Sequence, residues 1–198
     1  MKEHQSIRLF KHPALEALSH AHPSVPFILW IPVVLYFLYQ GFTHTMMSAG
    51  TNLLYVAAGL IFWTLTEYGM HRYVFHYSAT TKVGKYLVFL FHGIHHDDPQ
   101  DPTRLVMPPV VSITLAIPFY YFFKLCLGSE ACMPFFSGFM VGYLVYDYIH
   151  FATHHFMPRS QWGKTVKENH MKHHYMAKKG KWGVSTPFWD HVFGTFKQ

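Results

Sequence analysis

The chain has 198 residues, of which 51% are hydrophobic, 19% aromatic and only 13% charged. This composition is typical of a protein whose main solvent is lipid, and it disfavours an ordinary soluble domain. The formal net charge is +6, but the basic residues are not interleaved with a recognisable DNA- or RNA-binding module. No nucleic-acid partner is expected, and a membrane surface is the better partner for the positive charge.

Four apolar stretches predict an integral membrane protein. Each approaches the roughly 20 residues that a helix needs to cross a bilayer. The expected fold class is all-α: a membrane four-helix bundle with a cytosolic helical cap, within a single domain covering residues 1–198. The predicted spans are residues 25–42, 51–70, 105–127 and 131–149, and the predicted cap comprises residues 71–104 and 150–198.

The distribution of basic residues predicts which side of the membrane the cap occupies. An even number of crossings places the N-terminus, the segment after the second span and the C-terminal tail on one side. Fifteen of the 16 Lys and Arg residues lie on that side, and only Lys124 lies on the other. By the positive-inside rule this side is cytoplasmic. The expected location is the bacterial inner membrane or the endoplasmic reticulum.

Four histidine motifs fall on this cytoplasmic side: HRYVFH at 71–76, HGIHH at 92–96, HFATHH at 150–155 and HMKHH at 170–174. Successive helical residues turn by about 100°, so the three histidines of an HxxHH motif share one sector of roughly 100°. The last two lie at opposite edges of that sector. Such a triple can therefore face two neighbouring metal ions.

The other two motifs need a closer geometric argument. His71 and His76 are about 140° apart on an ideal helix, so they converge only if the helix ends or unwinds near Val74 and Phe75. In the third motif His155 points about 140° away from the first histidine, and we expect it to be a supporting or structural residue. Ten imidazoles remain, which suit two ions with about five each. These candidate ligands are His71, His76, His92, His95, His96, His150, His154, His170, His173 and His174.

Two carboxylates precede candidate ligands at helical spacing. Glu67 lies four residues before His71, and Asp147 lies three before His150. Each can share its histidine's helix face and accept the imidazole's second N–H, which orients a metal ligand. The alternative is that both carboxylates simply face water at the ends of their helices.

Further residues have two interpretations each. Arg104, just before the third span, could hold the polar head of a substrate or follow the positive-inside rule. Three tryptophans could form a lid or, preferably, an aromatic belt at the membrane interface. They are Trp162, Trp182 and Trp189.

The ligand set bears on the metal. Imidazole suits iron, zinc, copper and nickel, but about five nitrogens per ion exceed the four ligands that zinc prefers. Two iron ions are therefore expected, although zinc can occupy the sites in purified protein. A centre at the membrane surface indicates a substrate confined to the bilayer, such as an acyl chain or a sterol. Iron can activate O2 to attack its unactivated C–H bonds.

The motif series, together with HGIHHDDPQDPTRLVMPP and WGVSTPFWDHVFGTF, resembles the membrane fatty acid hydroxylase and sterol desaturase superfamily, in particular its fatty acid 2-hydroxylase branch. The resemblance covers most of the chain. It implies a four-helix membrane enzyme with a cytosolic cap and a di-metal centre held by the ten histidines given above. It also implies O2-dependent hydroxylation of the carbon next to the carbonyl of a fatty acid or ceramide acyl chain, with two electrons consumed.

Some relatives carry a fused cytochrome b5 domain, for which there is no room before Val25. The electron donor is therefore expected to be a separate ferredoxin or cytochrome b5. One alternative function is a sterol or carotenoid hydroxylase or desaturase of the same superfamily. Another, from a different class, is a metal-binding or metal-transporting membrane protein, although transporters place polar ligands near the bilayer midplane.

Overall fold

The structure is a computed structural model that describes residues 5–176 and 180–197, and these residues form helices and loops without a strand. Lys2, Lys178 and Lys179, which contribute to the charge asymmetry, lie outside the described residues. The helices in chain order are α1 (Pro13–Leu18), α2 (Val25–Thr43), α3 (Ala49–Gly69), α4 (Lys82–Val88), α5 (Ile94–Asp97), α6 (Pro109–His155), α7 (Gln161–Tyr175) and α8 (Phe188–Val192).

Two π-helical turns interrupt this pattern. One, at Met70–Phe75, continues α3, and the other, at Phe89–Gly93, joins α4 to α5. A π-helix forms i→i+5 hydrogen bonds and is found mostly as a single turn, often at a functional site. Both turns contain candidate metal ligands, His71 in the first and His92 in the second.

Within the described ranges, three helices are long and apolar enough to cross a membrane: Val25–Thr43, Ala49–Phe75 and Pro109–His155. Their outward faces carry large apolar side chains. Ile28 is 71% exposed, Leu54 70% and Leu125 85%. Many large apolar side chains exposed in this way are unfavourable in water, so the helices fit a lipid environment.

The longest helix, α6, folds back on itself at Gly128. This residue has φ 78° and ψ 170°, a conformation that glycine adopts without the steric cost of a Cβ atom. The two arms, 109–127 and 129–155, pack against each other. The ring centroids of Phe123 and Phe135 are 4.9 Å apart, and those of Phe119 and Phe139 are 5.1 Å apart. The arms are therefore antiparallel, with the turn reduced to one residue.

Glycines allow α3 and the second arm of α6 to approach closely. A Cβ atom at Gly138 would lie 1.9 Å from the carbonyl oxygen of Val56, and one at Gly59 would lie 2.0 Å from that of Phe135. Small residues at such crossings are typical of membrane helices, where close packing drives association. This contact fixes the relative position of α3, which continues into the π turn that contains His71, and of α6, whose last turn carries His154.

Candidate metal centre

The structure brings all ten candidate ligands into two groups of five. Within each group the candidate ligand nitrogens lie within 4.8 Å of one another. We name the groups cluster 1 and cluster 2. Cluster 1 consists of His71, His76, His92, His96 and His173, and cluster 2 of His95, His150, His154, His170 and His174.

The first π-helical turn explains how His71 and His76 meet. The backbone N–H of His76 donates to the carbonyl of His71 at 3.2 Å, an i→i+5 bond. The two imidazole centroids are 5.0 Å apart. An α-helix would direct these side chains to different faces, whereas the wider π turn returns to nearly the same face after five residues. The expected unwinding near Phe75 thus takes the form of a π turn.

Each HxxHH motif serves both clusters. The first and last histidines of the motif join one cluster, and the middle histidine joins the other. The Nε2 atom of His95 lies 2.9 Å from that of His150 in cluster 2, and the Nε2 atom of His173 lies 3.0 Å from that of His76 in cluster 1. The two clusters are therefore interlocked.

The distances between ligand nitrogens fit bound metal ions. The Nε2 atom of His92 lies 3.1 Å from the Nε2 atoms of both His71 and His96. The Nε2 atom of His170 lies 2.8 Å from that of His154. Metal–nitrogen bonds of about 2.0–2.1 Å at right angles place neighbouring nitrogens about 2.9 Å apart. The observed separations match adjacent ligands around one ion.

Hydrogen bonds fix the tautomer of two cluster 1 histidines. The Nδ1 atom of His71 lies 2.5 Å from the carbonyl oxygen of Trp182, and that of His173 lies 2.9 Å from the carbonyl oxygen of Gly180. A carbonyl only accepts hydrogen bonds, so both Nδ1 atoms carry the proton and both Nε2 atoms present lone pairs. Lone pairs that converge in a buried space suit a bound cation.

Burial favours the neutral form of the candidate ligand histidines. Burial, and then the charge of neighbouring His173, lowers the pKa of His96 to about 4. Burial followed by repulsion from adjacent imidazoles holds the pKa values of His92, His95 and His170 well below the ordinary range. Desolvation disfavours the charged form of an imidazole. These side chains are therefore neutral near pH 7, the protonation state in which imidazole binds metals.

Glu67 contacts the C-terminal segment rather than His71. Its Oε1 atom accepts the backbone N–H groups of Val184 at 2.6 Å and Ser185 at 2.7 Å, and its Oε2 atom accepts the hydroxyl of Ser185. The proton on Nδ1 of His71 goes to the Trp182 carbonyl two residues earlier. The structure therefore differs from the expected direct contact, because the carboxylate holds the chain segment that orients the imidazole.

Asp147, like Glu67, makes contacts other than the expected one, whereas His155 lies outside the candidate ligands, as expected. Asp147 is buried and accepts the hydroxyl of Tyr143 at 3.1 Å and the backbone N–H of Met107 at 3.4 Å, rather than a proton from His150. His155 belongs to neither cluster, and its ring stacks on Phe151 with centroids 4.6 Å apart.

Asp190 is a supporting residue that our sequence interpretation missed. It is completely buried, and it accepts the backbone N–H groups of Trp182 and Gly183, each at 2.8 Å. It therefore fixes the same carbonyl that orients His71. The nearby sequence WGVSTPFWD gave no metal-ligand spacing, so only the position of the folded tail reveals this contact.

The tryptophans separate into different environments. Trp182 is 6% exposed, and its ring lies 5.0 Å from His76 and 5.1 Å from His173. It therefore walls cluster 1, which differs from the interfacial belt that we favoured for it. Trp189 donates to the hydroxyl of Thr64 at 2.9 Å, and Trp162 is 56% exposed.

An apolar cavity of about 410 Å3 adjoins both clusters. It reaches His92 of cluster 1 and His95 and His150 of cluster 2. Pockets of this size and apolar character are typical binding sites for small organic ligands. A much smaller space of about 40 Å3 lies between α3 and α6. Apolar residues that line the larger cavity include Leu87, Leu90, Phe91, Leu105, Val106 and Val111.

Comparison with known proteins identifies the family. The sequence model of the fatty acid hydroxylase family matches residues 56–195. The chain is 38% identical over 172 residues to the ceramide very long chain fatty acid hydroxylase scs7 of Schizosaccharomyces pombe, covering 85% of this chain and 49% of that protein. It is 34% identical over 167 residues to the dihydroceramide fatty acyl 2-hydroxylase FAH2 of Arabidopsis thaliana, covering 84% and 70% of the two chains.

A solved structure extends the likeness to three dimensions. The structure titled full-length scs7p, in which only the hydroxylase domain is visible, superimposes with a TM-score of 0.89 at 35% identity, covering 96% of this chain and 72% of that one. The chain spans about half the length of the fission-yeast relative. The resemblance drawn from the histidine motifs is confirmed: the chain belongs to the fatty acid hydroxylase family.

Proposed function

We propose that this protein is an integral membrane di-metal oxygenase that hydroxylates C2 of a fatty acid or of the acyl chain of a ceramide or related sphingolipid. The observation that carries the proposal is the cavity of about 410 Å3, which contacts histidines of both clusters. A long apolar ligand in this cavity passes beside both candidate metal sites. The names of the relatives, a ceramide fatty acid hydroxylase and a dihydroceramide acyl 2-hydroxylase, support this substrate class.

The proposed reaction breaks one C–H bond at C2 and forms one C–O bond. O2 provides both oxygen atoms: one enters the product hydroxyl, and two electrons and two protons reduce the other to water. With two metal ions bound, the centre would supply the O2 activation and oxidising power that an unactivated C–H bond requires.

The protein's own side chains position the acyl chain and exclude water from the site. His92, His95 and His150 line the cavity, and the proposal places C2 of a bound acyl chain beside them. Leu105 and Val106 are 4% and 2% exposed and form part of the apolar wall. Exclusion of water from such a site limits side reactions of reactive species.

We further propose that the single domain crosses the membrane four times, with the cap on the cytoplasmic side. The proposed crossings are α2, α3 and the two arms of α6, which correspond to the spans predicted near 25–42, 51–70, 105–127 and 131–149. The fold-back at Gly128 supports two crossings within α6. The orientation is supported by the 15 of 16 Lys and Arg residues that lie on the side proposed as cytoplasmic.

The metal and the electron donor complete the proposal. Five nitrogen ligands at each cluster favour two iron ions over zinc, which prefers four ligands. Zinc can replace iron during purification because imidazole sites bind it more strongly than iron(II). The two electrons would come from a ferredoxin or a cytochrome b5. All ten histidines are proposed ligands, with Glu67 and Asp190 supporting cluster 1 through the tail.

Lipid mass spectrometry tests the proposal directly. The full chain would be expressed in a host without 2-hydroxylated lipids, which is supplied with isotope-labelled fatty acids and, separately, with sterol. We expect labelled 2-hydroxyacyl lipids, with incorporation of 18O from 18O2 at C2. A His95→Ala variant, which removes a proposed ligand, provides the inactive control.

Two results would contradict the proposal. Oxidised sterol without 2-hydroxyacyl product would favour the sterol branch of the superfamily. Metal binding without oxidation of either lipid, in the presence of a competent electron donor, would favour a protein that binds or transports metal.

A further inference from the structure

The N-terminal segment 6–22 forms one wall of the large cavity. Leu9, Phe10, Leu15 and Leu18 of this segment line the cavity, as do Leu87 of α4 and residues of the following π turn. We propose that this segment determines which acyl chain lengths the enzyme accepts, with Leu15 and Leu18 as the selecting side chains. The inference rests on the proposed 2-hydroxylase function and adds a specificity determinant to it.

The geometry of α1 places these two leucines together. Residues three positions apart lie on the same side of a helix, and both Leu15 and Leu18 line the cavity. They are 50% and 56% exposed, so they stand at the cavity's open edge rather than in a packed core. Because they have space around them, larger side chains can enter the cavity without displacing the protein core.

The relative sizes of the two spaces indicate where a long chain lies. The smaller space, beyond Phe75, Met107 and Tyr146, measures about 40 Å3, against about 410 Å3 for the cavity bounded by α1. A reactive C2 beside His95 and His150 therefore leaves room for a long acyl chain only in the larger cavity. The part of the chain remote from C2 would then contact α1.

Arg104 holds the N-terminal segment in place. Its side chain is 3% exposed. Its Nη2 atom donates to Oε1 of Glu16 at 2.6 Å and to the carbonyl of Ile7 at 2.9 Å. Its Nε atom donates to the hydroxyl of Ser6 at 3.1 Å, and its Nη1 atom donates to the hydroxyl of Ser19 at 3.0 Å. All three nitrogens of the guanidinium thus bond to segment 6–22. Arg104 also lines the cavity, and its hydrogen bonds to segment 6–22 make it a positioning residue for this wall.

Neighbouring contacts reinforce this attachment. The backbone N–H of Ala21 donates to the carbonyl of Thr103 at 2.9 Å, and Nδ1 of His20 lies 2.6 Å from the hydroxyl of Thr103. Asp101 is 1% exposed and accepts the hydroxyl of Ser6. A buried polar network of this kind holds one arrangement of the chain because each alternative leaves polar groups unpaired.

Substitution of the two leucines tests the selection. Cells expressing the full chain would receive an equal mixture of saturated fatty acids from medium to very long chain, and the 2-hydroxy products would be profiled. We expect Leu15→Trp and Leu18→Trp to change the ratio of shorter to longer products by about tenfold in favour of shorter chains, since one methylene in an apolar pocket can alter selectivity that much. Leu15→Ala and Leu18→Ala should shift the profile towards longer chains.

The matched control is Leu54→Trp, a substitution of the same type at an outward-facing position of α3 that is 70% exposed. It should leave the profile unchanged, and the metal content of every variant should equal that of the wild type. If the tryptophan variants do not accumulate, the alanine variants decide the outcome, because they remove volume only.

Arg104→Lys and Glu16→Gln test the positioning role. Lysine cannot reproduce the branched donor geometry of the guanidinium, and glutamine removes the negative charge that Arg104 contacts. Both variants should therefore broaden the product profile while retaining metal. An active enzyme whose chain-length profile is unchanged in the leucine variants would overturn the inference and leave the proposed function intact. So would an altered preference for free acid over ceramide without a change in chain length. Failure of the wild type to form any 2-hydroxy product would overturn both.

Discussion

The Nε2 atoms of His95 and His150 lie 2.9 Å apart, although 55 residues separate them in the chain. His95 belongs to the short helix α5, and His150 belongs to the last part of α6. His96, the residue after His95, belongs to cluster 1 instead. One motif therefore links both clusters, and the position of α5 relative to α6 determines whether cluster 2 is complete.

Loss of one ligand should affect one cluster more than the other. His76→Ala removes a nitrogen from cluster 1, and His154→Ala removes one from cluster 2. We expect each variant to retain one tightly bound ion and to release the other, because the remaining cluster keeps its five nitrogens. Elemental analysis of purified protein measures the metal-to-protein ratio. His44→Ala, outside both clusters, is the control, and an unchanged ratio in both ligand variants would contradict the assignment.

Glu67→Gln should weaken metal binding at cluster 1 without removing a ligand. Glutamine offers one acceptor oxygen and an NH2 donor, so it cannot accept hydrogen bonds with both oxygens from Val184 and Ser185 as the carboxylate does. The Trp182 carbonyl that orients His71 then loses support. We expect affinity for one ion to fall by about 10–100-fold, as for other residues that orient metal ligands. Competition with a chelator measures the affinity.

The control for this substitution is Glu130→Gln, the same chemical change at an exposed position of α6. It should leave both affinities unchanged. Equal weakening of both ions by Glu67→Gln would show that the carboxylate acts on general stability rather than on cluster 1.

Gly138→Ala should destabilise the helix packing. The added Cβ would lie 1.9 Å from the backbone carbonyl oxygen of Val56, which cannot move without displacing α3. Overpacking of this kind costs about 1–3 kcal/mol or more. Thermal unfolding in detergent measures the loss. Gly69→Ala is the matched control, since a Cβ there meets no atom within 4 Å, and comparable destabilisation by both variants would contradict the packing argument.

The contribution of Glu16 to stability should depend on pH. Burial alone would raise the pKa of this carboxyl, but hydrogen bonds from the Phe10 backbone, His20 and the Leu9 backbone, together with the charge of Arg104, lower it from 4.5 to about 2. A folded-state pKa below the unfolded value stabilises the protein above about pH 4.5, and this stabilisation is lost as the pH falls towards 2.

Comparison with Glu16→Gln isolates this effect. The wild type should unfold at a higher temperature than the variant at neutral pH, and the difference should shrink progressively as the pH falls below 4.5. Thermal unfolding in detergent over a series of acidic buffers measures it. The difference between the two proteins excludes other effects of acid on stability, because protonation of histidines occurs in both. A difference that is constant with pH would rule out the ionised carboxylate as its source.

Local sequence patterns determined the fold class of this protein and most of its candidate ligands. Apolar stretches long enough to span a bilayer indicated the all-α class and the membrane-capable helices, since hydrophobic length is a local property. The spacing i, i+3, i+4 indicated that each HxxHH motif faces two sites, because helical geometry fixes the angles between its histidines. Four histidine-rich motifs were enough to indicate ten candidate ligands.

Only the tertiary structure decided how these parts meet. Helical angles showed that His95 and His96 diverge, but not that His95 joins His150 while His173 joins His76. The roles of Glu67, Asp190 and Trp182 depend on the path of the C-terminal tail back to α3, which no local pattern encodes. The same is true of Arg104, whose partners in the N-terminal segment lie 84 to 98 residues away in the chain. Contacts between segments so distant in the chain arise from the packing of the whole fold, so their identity emerges only when the helices are assembled.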